Sequence, residues 1–415
     1  MIILSHPTAN QNVRQTASAF ATAGLLEEFW TCVHWQQGGL LDKLLAIAPR
    51  ARNELRRRSF RDEVRPFIHT HAFREMGRQL AAQLGLNSLT REENGVFSID
   101  AVYLTLDRRV SRRIANSRRA KAVYAYDGGA LASFRAARAR GIRCMYEHPI
   151  VHWRIVRQYQ LEEAELSPEW APTLGALRDS EQKLRRKDEE LALADVIITP
   201  SSFARESLTA SKAKLAPVYV IPYGTPIDDV GPARRSAEGK LRVLFVGALT
   251  QAKGLGYLLQ AADRLTPEVS LTLIGRRVSP TVPRAAALER HRWIASLSHA
   301  DLLHEMRQHD VLVLPSLHEG FGLVLAEAMG QGLVVIATRH TAAPDLVSDG
   351  VDGFLVPIRS AVAIEEKLVL LHCDRMRLRA MQQAAQEKAR SFTWENYRQR
   401  LVKLAREVIG NPVTA

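Results

Sequence analysis

Short β-branched and aliphatic runs recur along this chain of 415 residues, each followed by a segment with helical spacing, and that alternation leaves few architectures open. It is the pattern of doubly wound parallel sheets, whose strands are buried on both faces by covering helices. Strands are expected at Ile2 to Leu4, Cys32 to Trp35, Val123 to Tyr126, Arg143 to Glu147, Val196 to Thr199 and Val218 to Ile221. A second set is expected at Val243 to Val246, Leu271 to Ile274, Val311 to Leu314 and Leu333 to Ala337. The stretch between the sets, rich in Gly, Pro, Asp and Ser, reads as a linker. The division is therefore 1–222, a linker at 223–240, 241–392, and a last helix within 393–415 opened by Thr393 as N-cap. A hydrophobic content of 46% is ample for two cores.

The segment His318 to Gly330, H-E-G-F-G-L-V-L-A-E-A-M-G, says most about chemistry. The strand at Val311 to Leu314 is ended by Pro315, and the pattern turns helical from Leu323. Glu319 thus sits on a loop, and Glu327 lies eight residues later within the helix. Gly320 and Gly322 remove side-chain bulk, leaving the amides of Gly320, Phe321, Gly322 and Leu323 to face an anion or sugar oxygens at the helix N-terminus. An isolated pair of glutamates at this spacing is ordinarily a solvated loop residue and a helix-surface residue. Here Glu327 is flanked by Leu325, Ala326, Ala328 and Met329, where a carboxylate is costly unless paired. A second constellation is V-L-F-V-G followed by A-L-T-Q-A-K-G, where Gly247 ends a strand and Lys253-Gly254 is expected to open a helix that holds a diphosphate. The plainer reading of Lys253 is a surface lysine at a helix start, which the helix dipole disfavours.

These segments resemble the family 4 retaining nucleotide-sugar glycosyltransferases, whose E-x7-E signature Glu319 and Glu327 match. The likeness extends to L-I-G at 273–275, I-A-T at 336–338 and D-G-V-D-G-F-L-V-P at 349–357, and more loosely to N-V-R at 12–14, P-S-S-F at 200–203 and I-P-Y-G at 221–224. The resemblance implies a GT-B fold: two Rossmann-like domains face a central cleft, the second binds a nucleoside diphosphate sugar, the first binds the acceptor, and a C-terminal helix crosses back. It implies that Lys253 stabilises the leaving diphosphate, that Glu319 orients the donor sugar and that Glu327 binds the ribose. No metal or other cofactor is expected. The family carries an Arg after the first glycine where this chain has Ala248, and Arg276 or Arg14 is a candidate replacement. Trp293 and Ile294 are candidates to flank the nucleobase.

In the first half, relatives place a catalytic histidine on the loop after Glu147, and His148 is the best positional match; Glu147 and His152 compete with it. A histidine capping or packing at the Pro149 turn is an equal reading. Asp127, before Gly128 and Gly129, is either catalytic or a turn residue. His6, Asn10, Asn12 and Arg14 in the first loop are weaker candidates.

The net charge of +13 is unevenly placed: residues 108–121 carry seven basic side chains and no acidic one. The stretch 50–65 carries seven arginines and three acids. On a helix Arg108, Arg109, Arg112 and Arg113 share a face, suited to anionic lipid at about 1 kcal/mol per basic residue, or simply solvated. No nucleic-acid recognition pattern accompanies it. Cys32, Cys144 and Cys373 lack disulfide or zinc spacing, and the N-terminal residues lack a signal-peptide pattern, so a cytoplasmic protein, peripheral at the membrane's inner face, is expected. Three functions compete: a retaining glycosyltransferase of polysaccharide or lipopolysaccharide synthesis acting on a glycan or lipid-linked acceptor, a nucleotide-sugar epimerase of related fold, and a catalytically silent GT-B-like binding protein.

Overall fold

The computed structural model describes residues 1–35, 58–226, 239–278 and 288–410. Two parallel sheets carry the chain. The first has seven strands: β1 (Ile2–Ser5), β2 (Leu26–Thr31), β3 (Ile68–Thr70), β4 (Ala122–Tyr126), β5 (Arg143–Glu147), β6 (Val196–Thr199) and β7 (Val218–Val220). Their order is β3-β2-β1-β4-β5-β6-β7. The second has six: β8 (Leu241–Val246), β9 (Val269–Ile274), β10 (Arg292–Ile294), β11 (Val311–Leu314), β12 (Val334–Thr338) and β13 (Gly353–Val356), in the order β10-β9-β8-β11-β12-β13. Strand order reverses between β1 and β4 and between β8 and β11, the switch points where open parallel sheets bind ligands beyond their carboxyl ends.

Most strands fall where the apolar runs lie, because a strand buried on both faces has to be apolar throughout. The second is a correction. Cys32–Trp35 is not a strand but the buried segment after β2, whose sequence L-E-E-F-W-T was masked by its glutamates. Glu28 is buried there because Trp30 Nε1 donates to it at 2.8 Å and Arg113 Nε at 2.6 Å, which offsets the cost of burying a carboxylate. The strands β3, β10 and β13 were not foreseen; each lies at a sheet edge and is three or four residues long. Residues 227–238 of the expected linker, and 50–57 of the arginine-rich stretch, lie outside the described residues.

The chain crosses between the sheets twice, and the crossings touch. On the way out, Thr225 N donates to Phe392 O at 2.8 Å, and at Gly224 a Cβ would collide with the backbone of Thr393 and Trp394. On the way back, the helix Trp394–Gly410 packs on α1 (Gln11–Thr22), with Tyr397 and Thr16 hydroxyls 2.8 Å apart and Arg398 Nη1 donating to Gln15 at 2.5 Å. Beneath both crossings lies Glu147 at the end of β5. It accepts hydrogen bonds from the Tyr124 and Tyr223 hydroxyls, both at 2.5 Å. Tyr223 packs edge-on against Phe321 and Tyr397, so one aromatic cluster joins β5, the crossing segment, the returning helix and the Glu319 loop.

Replacing Tyr397 with Ala removes a fully buried ring and the partner of Thr16. The expected loss is about 3–5 kcal/mol, read as a lower denaturant midpoint with fluorescence reporting Trp394; an unchanged midpoint would contradict the role given to this cluster.

Candidate active site

The Glu319 loop leaves β11 through Pro315 and enters the helix Leu323–Gly330 by Gly322, whose φ of +80° is a left-handed conformation that favours glycine. The Glu319 amide donates to His340 O at 2.8 Å, whereas the amides of Gly320, Phe321 and Gly322 have no acceptor among the described residues. Three free donors at a helix N-terminus form an anion cradle. Gly320 is also pressed against the first domain. A Cβ there would collide with Pro149 O and Ile150 Cα, and Ser201 Oγ donates to Gly320 O at 2.5 Å. At Phe321 the ring is buried against Tyr223 and the carbonyl accepts from Ala342 N, so its amide, the group singled out in the sequence, is what is left for a ligand.

Lys253 and Glu319, 66 residues apart in sequence, form an ion pair. Contrary to the expectation from sequence, Lys253 does not open the helix. It lies in a separate 3-10 turn, Gln251–Lys253; Gly254 follows at φ +70° against Pro315 O, and the helix α2 (Leu255–Arg264) begins after it. That helix N-terminus is already covered, because Gln251 Oε1 accepts from Gly256 N at 3.0 Å while Gln251 Nε2 donates to Glu163 of the first domain at 2.7 Å. The free anion cradle is therefore at Gly320–Gly322, not at Leu255. Gly247 spends its amide on Ile274 O, and its φ of +157° is the reason for glycine there, since an added Cβ would make only ordinary contact, 3.8 Å from Lys253 Cγ.

Glu327, buried in the helix, receives a bond from His299 Nε2 at 2.8 Å. His299 begins the helix His299–Met306 and was not singled out in the sequence, because no local spacing links it to Glu327. The side chain of Trp293 donates to Gly275 O at 2.9 Å, and Arg277 covers one ring face at 4.2 Å. Ile294 pairs with Ile274 in the edge strand. Of the candidate replacements for the missing arginine, Arg276 is exposed and Arg14 donates to Ala9 O at 2.9 Å. A different cation, Lys187 of the helix Glu181–Leu193, lines the same 320 Å³ cavity as Lys253, Glu319 and Gly320.

On the first-domain side, the three loop candidates separate. Glu147 is enclosed by tyrosine hydroxyls, and burial pushes its pKa up. His152 is the N-cap of the helix Trp153–Leu166, accepting from Arg154 N at 3.3 Å; burial pushes its pKa down to about 4. His148 alone faces Asp127, with Nδ1 3.4 Å from Oδ1. Asp127 in turn stands 3.5 Å from Lys187 Nζ. Burial raises the Asp127 pKa, but Lys187, His148 and Tyr146 together outweigh it and hold the carboxyl well below its usual range. Its neighbour Glu190 behaves oppositely. Burial and the Asp127 charge raise its pKa, against the amides of Gly128 and Ala130 that bond it at 2.7 and 3.1 Å. The Tyr146 hydroxyl lies 3.0 Å from both carboxyls and has one hydrogen to give, which fits an ionised Asp127 beside a protonated Glu190.

The remaining first-loop residues divide. Asn12 donates to Glu147 and Tyr223 and belongs to the aromatic cluster. His6 and Asn10 line a second cavity of 440 Å³ with Asp127. His6 is kept neutral by burial, with its pKa near 4, and Nδ1 lies 3.0 Å from the Thr8 amide. The basic face is smaller than expected. Arg113 is bound to Glu28 and Arg109 lies over the Trp30 ring at 5.6 Å, leaving Arg108 and Arg112 exposed without a charged partner among the described residues. Among the described residues no helix is long and apolar enough to cross a membrane.

Compared with known proteins, residues 229–388 match the family model described as glycosyl transferases group 1. The D-inositol 3-phosphate glycosyltransferase of Mycobacterium bovis (strain BCG / Pasteur 1173P2) is 30% identical over 237 residues, covering 52% of this chain and 49% of that protein. The chain thus spans about half the length of the curated relatives it matches. Sucrose-phosphate synthase from Thermosynechococcus elongatus superposes with a TM-score of 0.68 at 19% identity, covering 99% of each chain. Anabaena HepE in complex with UDP-glucose gives 0.62 at 16% identity, covering 98% of this chain and 99% of that one. At those identities the likeness is one of fold, and the fold is GT-B.

The Asp127–Glu190 pair has a pH signature. Glu190 keeps its proton in the folded state up to about 8, whereas an unfolded glutamate loses it near 4.5. The folded state binds the extra proton between those values, so this group's contribution to stability falls as pH rises through that window. The thermal midpoint followed against pH should show that decline, and Glu190→Gln should flatten it; an identical slope in the variant would refute the assignment.

Proposed function

We propose that this chain, which carries a group 1 glycosyl transferase domain within a GT-B fold, transfers a sugar from a nucleoside diphosphate to an acceptor hydroxyl with retention of configuration. The observation that carries the reading is the meeting of Lys253 and Glu319 beside the free amides of Gly320–Gly322, in a cavity both domains line. The diphosphate would lie on those amides with Lys253 against it. Glu319, released from Lys253 as the phosphate takes its place, would accept hydrogen bonds from the donor sugar. Glu327, held by His299, would accept from the ribose, at roughly 1.5–3 kcal/mol per charge-assisted bond. The bond from the anomeric carbon to the phosphate oxygen breaks, the acceptor oxygen bonds to that carbon on the same face, and the acceptor proton passes to the leaving diphosphate. Asp127 and His148 would position the acceptor or the sugar. The charge on Lys253, with the amides, makes a divalent metal unnecessary in this scheme. HepE's complex with UDP-glucose makes a UDP-hexose the first donor to try. The acceptor is proposed to be a glycan or lipid-linked glycan of cell-surface polysaccharide assembly, met at the inner face of a membrane.

Release of nucleoside diphosphate from UDP-, GDP- and ADP-sugars, with and without membrane extract, tests the reading. One donor should respond, extract should increase release, and Lys253→Ala should lower turnover about 10²- to 10³-fold while Glu327→Ala mainly weakens donor binding. Folded protein that neither binds nor turns over any donor would favour a silent binding protein, for which Ala248 is the motive; interconversion of donor sugars without acceptor would favour an epimerase. For the membrane, Arg108→Ala with Arg112→Ala should reduce sedimentation with vesicles rich in phosphatidylglycerol at low salt, and equal sedimentation would remove that surface from consideration.

A further inference from the structure

The 440 Å³ cavity of the first domain opens beside the donor site, and what lines it bears on which acceptor it takes. Lys187 and Ile150 border both this cavity and the one that holds Lys253 and Glu319, so a ligand in the first-domain cavity is next to the reacting centre. Three cations of one helix reach the cavity: Lys183, Arg186 and Lys187. Three cations at the mouth of a sugar site would ordinarily select a phosphorylated or acidic substrate.

Here each is matched by a carboxylate of the protein. Lys183 Nζ lies 2.7 Å from Asp179 and 3.4 Å from Asp100. Arg186 Nη2 lies 3.3 Å from the same Asp100 oxygen. Lys187 Nζ lies 3.5 Å from Asp127 and 3.9 Å from Asp179. The carboxylates are held in place themselves. Asp100 is buried in the first turn of the helix Ile99–Asn116, which Ser98 caps, and its Oδ2 has no hydrogen-bond partner among the described residues. An anion entering would meet two acids in the wall, Asp100 and Asp127, as well as three bases whose charge Asp179 helps to offset from behind. A hydroxyl meets something different, because every paired ion keeps unused donor or acceptor capacity, and a hydroxyl both donates and accepts. The rest of the wall suits a sugar ring: Tyr103 and Tyr126 offer aromatic surface, both packed on His6, and Ile99 and Ile150 offer apolar contact. Its volume is that of a small-ligand pocket.

We infer that the acceptor unit seated in this cavity is an uncharged sugar ring, bound by charge-compensated Asp–Lys/Arg pairs and by Tyr103, and that Asp100 excludes phosphorylated sugars from it. This rests on the transferase reading and adds the chemical class of the acceptor. The curated relative is named for an inositol phosphate, so the compensation at Asp100 would set this chain apart from it.

The test is binding and turnover with methyl glucoside, methyl mannoside, methyl galactoside and N-acetylglucosamine, each beside its 6-phosphate. Binding is read by saturation-transfer NMR and turnover by nucleotide release above the acceptor-free rate. The wild type should bind at least one neutral member in preference to its phosphate, and Tyr103→Ala should abolish that signal. Asp100→Asn, almost isosteric, frees Arg186, leaves Lys183 with Asp179 alone, and should shift the phosphate-to-neutral ratio by about tenfold or more toward the phosphate. A wild-type preference for phosphorylated members, an unchanged ratio in Asp100→Asn, or no neutral binding above Tyr103→Ala would each overturn the inference. Acceptor-free nucleotide release, which reads the donor site alone, distinguishes that failure from failure of the transferase reading. If Asp100→Asn does not fold, as judged by circular dichroism, the wild-type and Tyr103→Ala comparisons still decide.

Discussion

The buried carboxylate of Glu147 fixes how the two sheets are joined. It ends the interior strand β5, and the hydroxyls that satisfy it come from β4 and from the crossing segment. Tyr223 is the pivot, because its hydroxyl serves Glu147 while its ring packs on Phe321, Trp394 and Tyr397. A carboxylate in so apolar a place is tolerated only when hydrogen-bonded, and satisfying it requires the crossing segment to return to the same point beside the last helix. The residue adjoining Glu147 is His148, so the cluster that joins the domains also sets where His148 meets Asp127.

A second set of contacts holds the cleft closed. Arg359, at a left-handed φ of +62°, bonds Glu163 at 2.9 Å, and Glu163 also accepts from Gln251 and Tyr257, both at 2.7 Å. Gln251 begins the turn that carries Lys253, so first-domain contact positions the lysine that pairs with Glu319. Pro149 and Ile150 leave no room for a side chain at Gly320, and His340 is stacked between Tyr159 and Phe203. Burying these polar groups together is costly unless every partner is present, which makes the closed arrangement specific.

Legibility followed physical range. Strands inside a parallel sheet announce themselves because both faces are buried, and seven of the ten expected strands match to within one residue at each end. Edge strands such as Arg292–Ile294 carry no such signal, and β2 hid behind Glu27 and Glu28, one of which depends on an arginine 85 positions away. The Glu319 loop was legible because its glycines and glutamates act over a few residues. Its partners were not: Lys187, His299 and Gln251 reach the site from other elements, and no spacing links them to it. The motif reading also placed the phosphate at the helix beginning at Leu255, which Gln251 covers.

By itself the sequence determined the alternation of strands and helices, the apolar faces, and the glycine-bracketed loop at 320–322 leading into a helix, because these depend on neighbours within one or two turns. The tertiary structure alone decided that Lys253 pairs with Glu319, that Glu147 and His152 serve the scaffold while His148 faces Asp127, and that Lys183, Arg186 and Lys187 are each answered by an aspartate. Whether a charge binds a substrate or is spent within the protein depends on its distance to an opposite charge, and folding sets that distance.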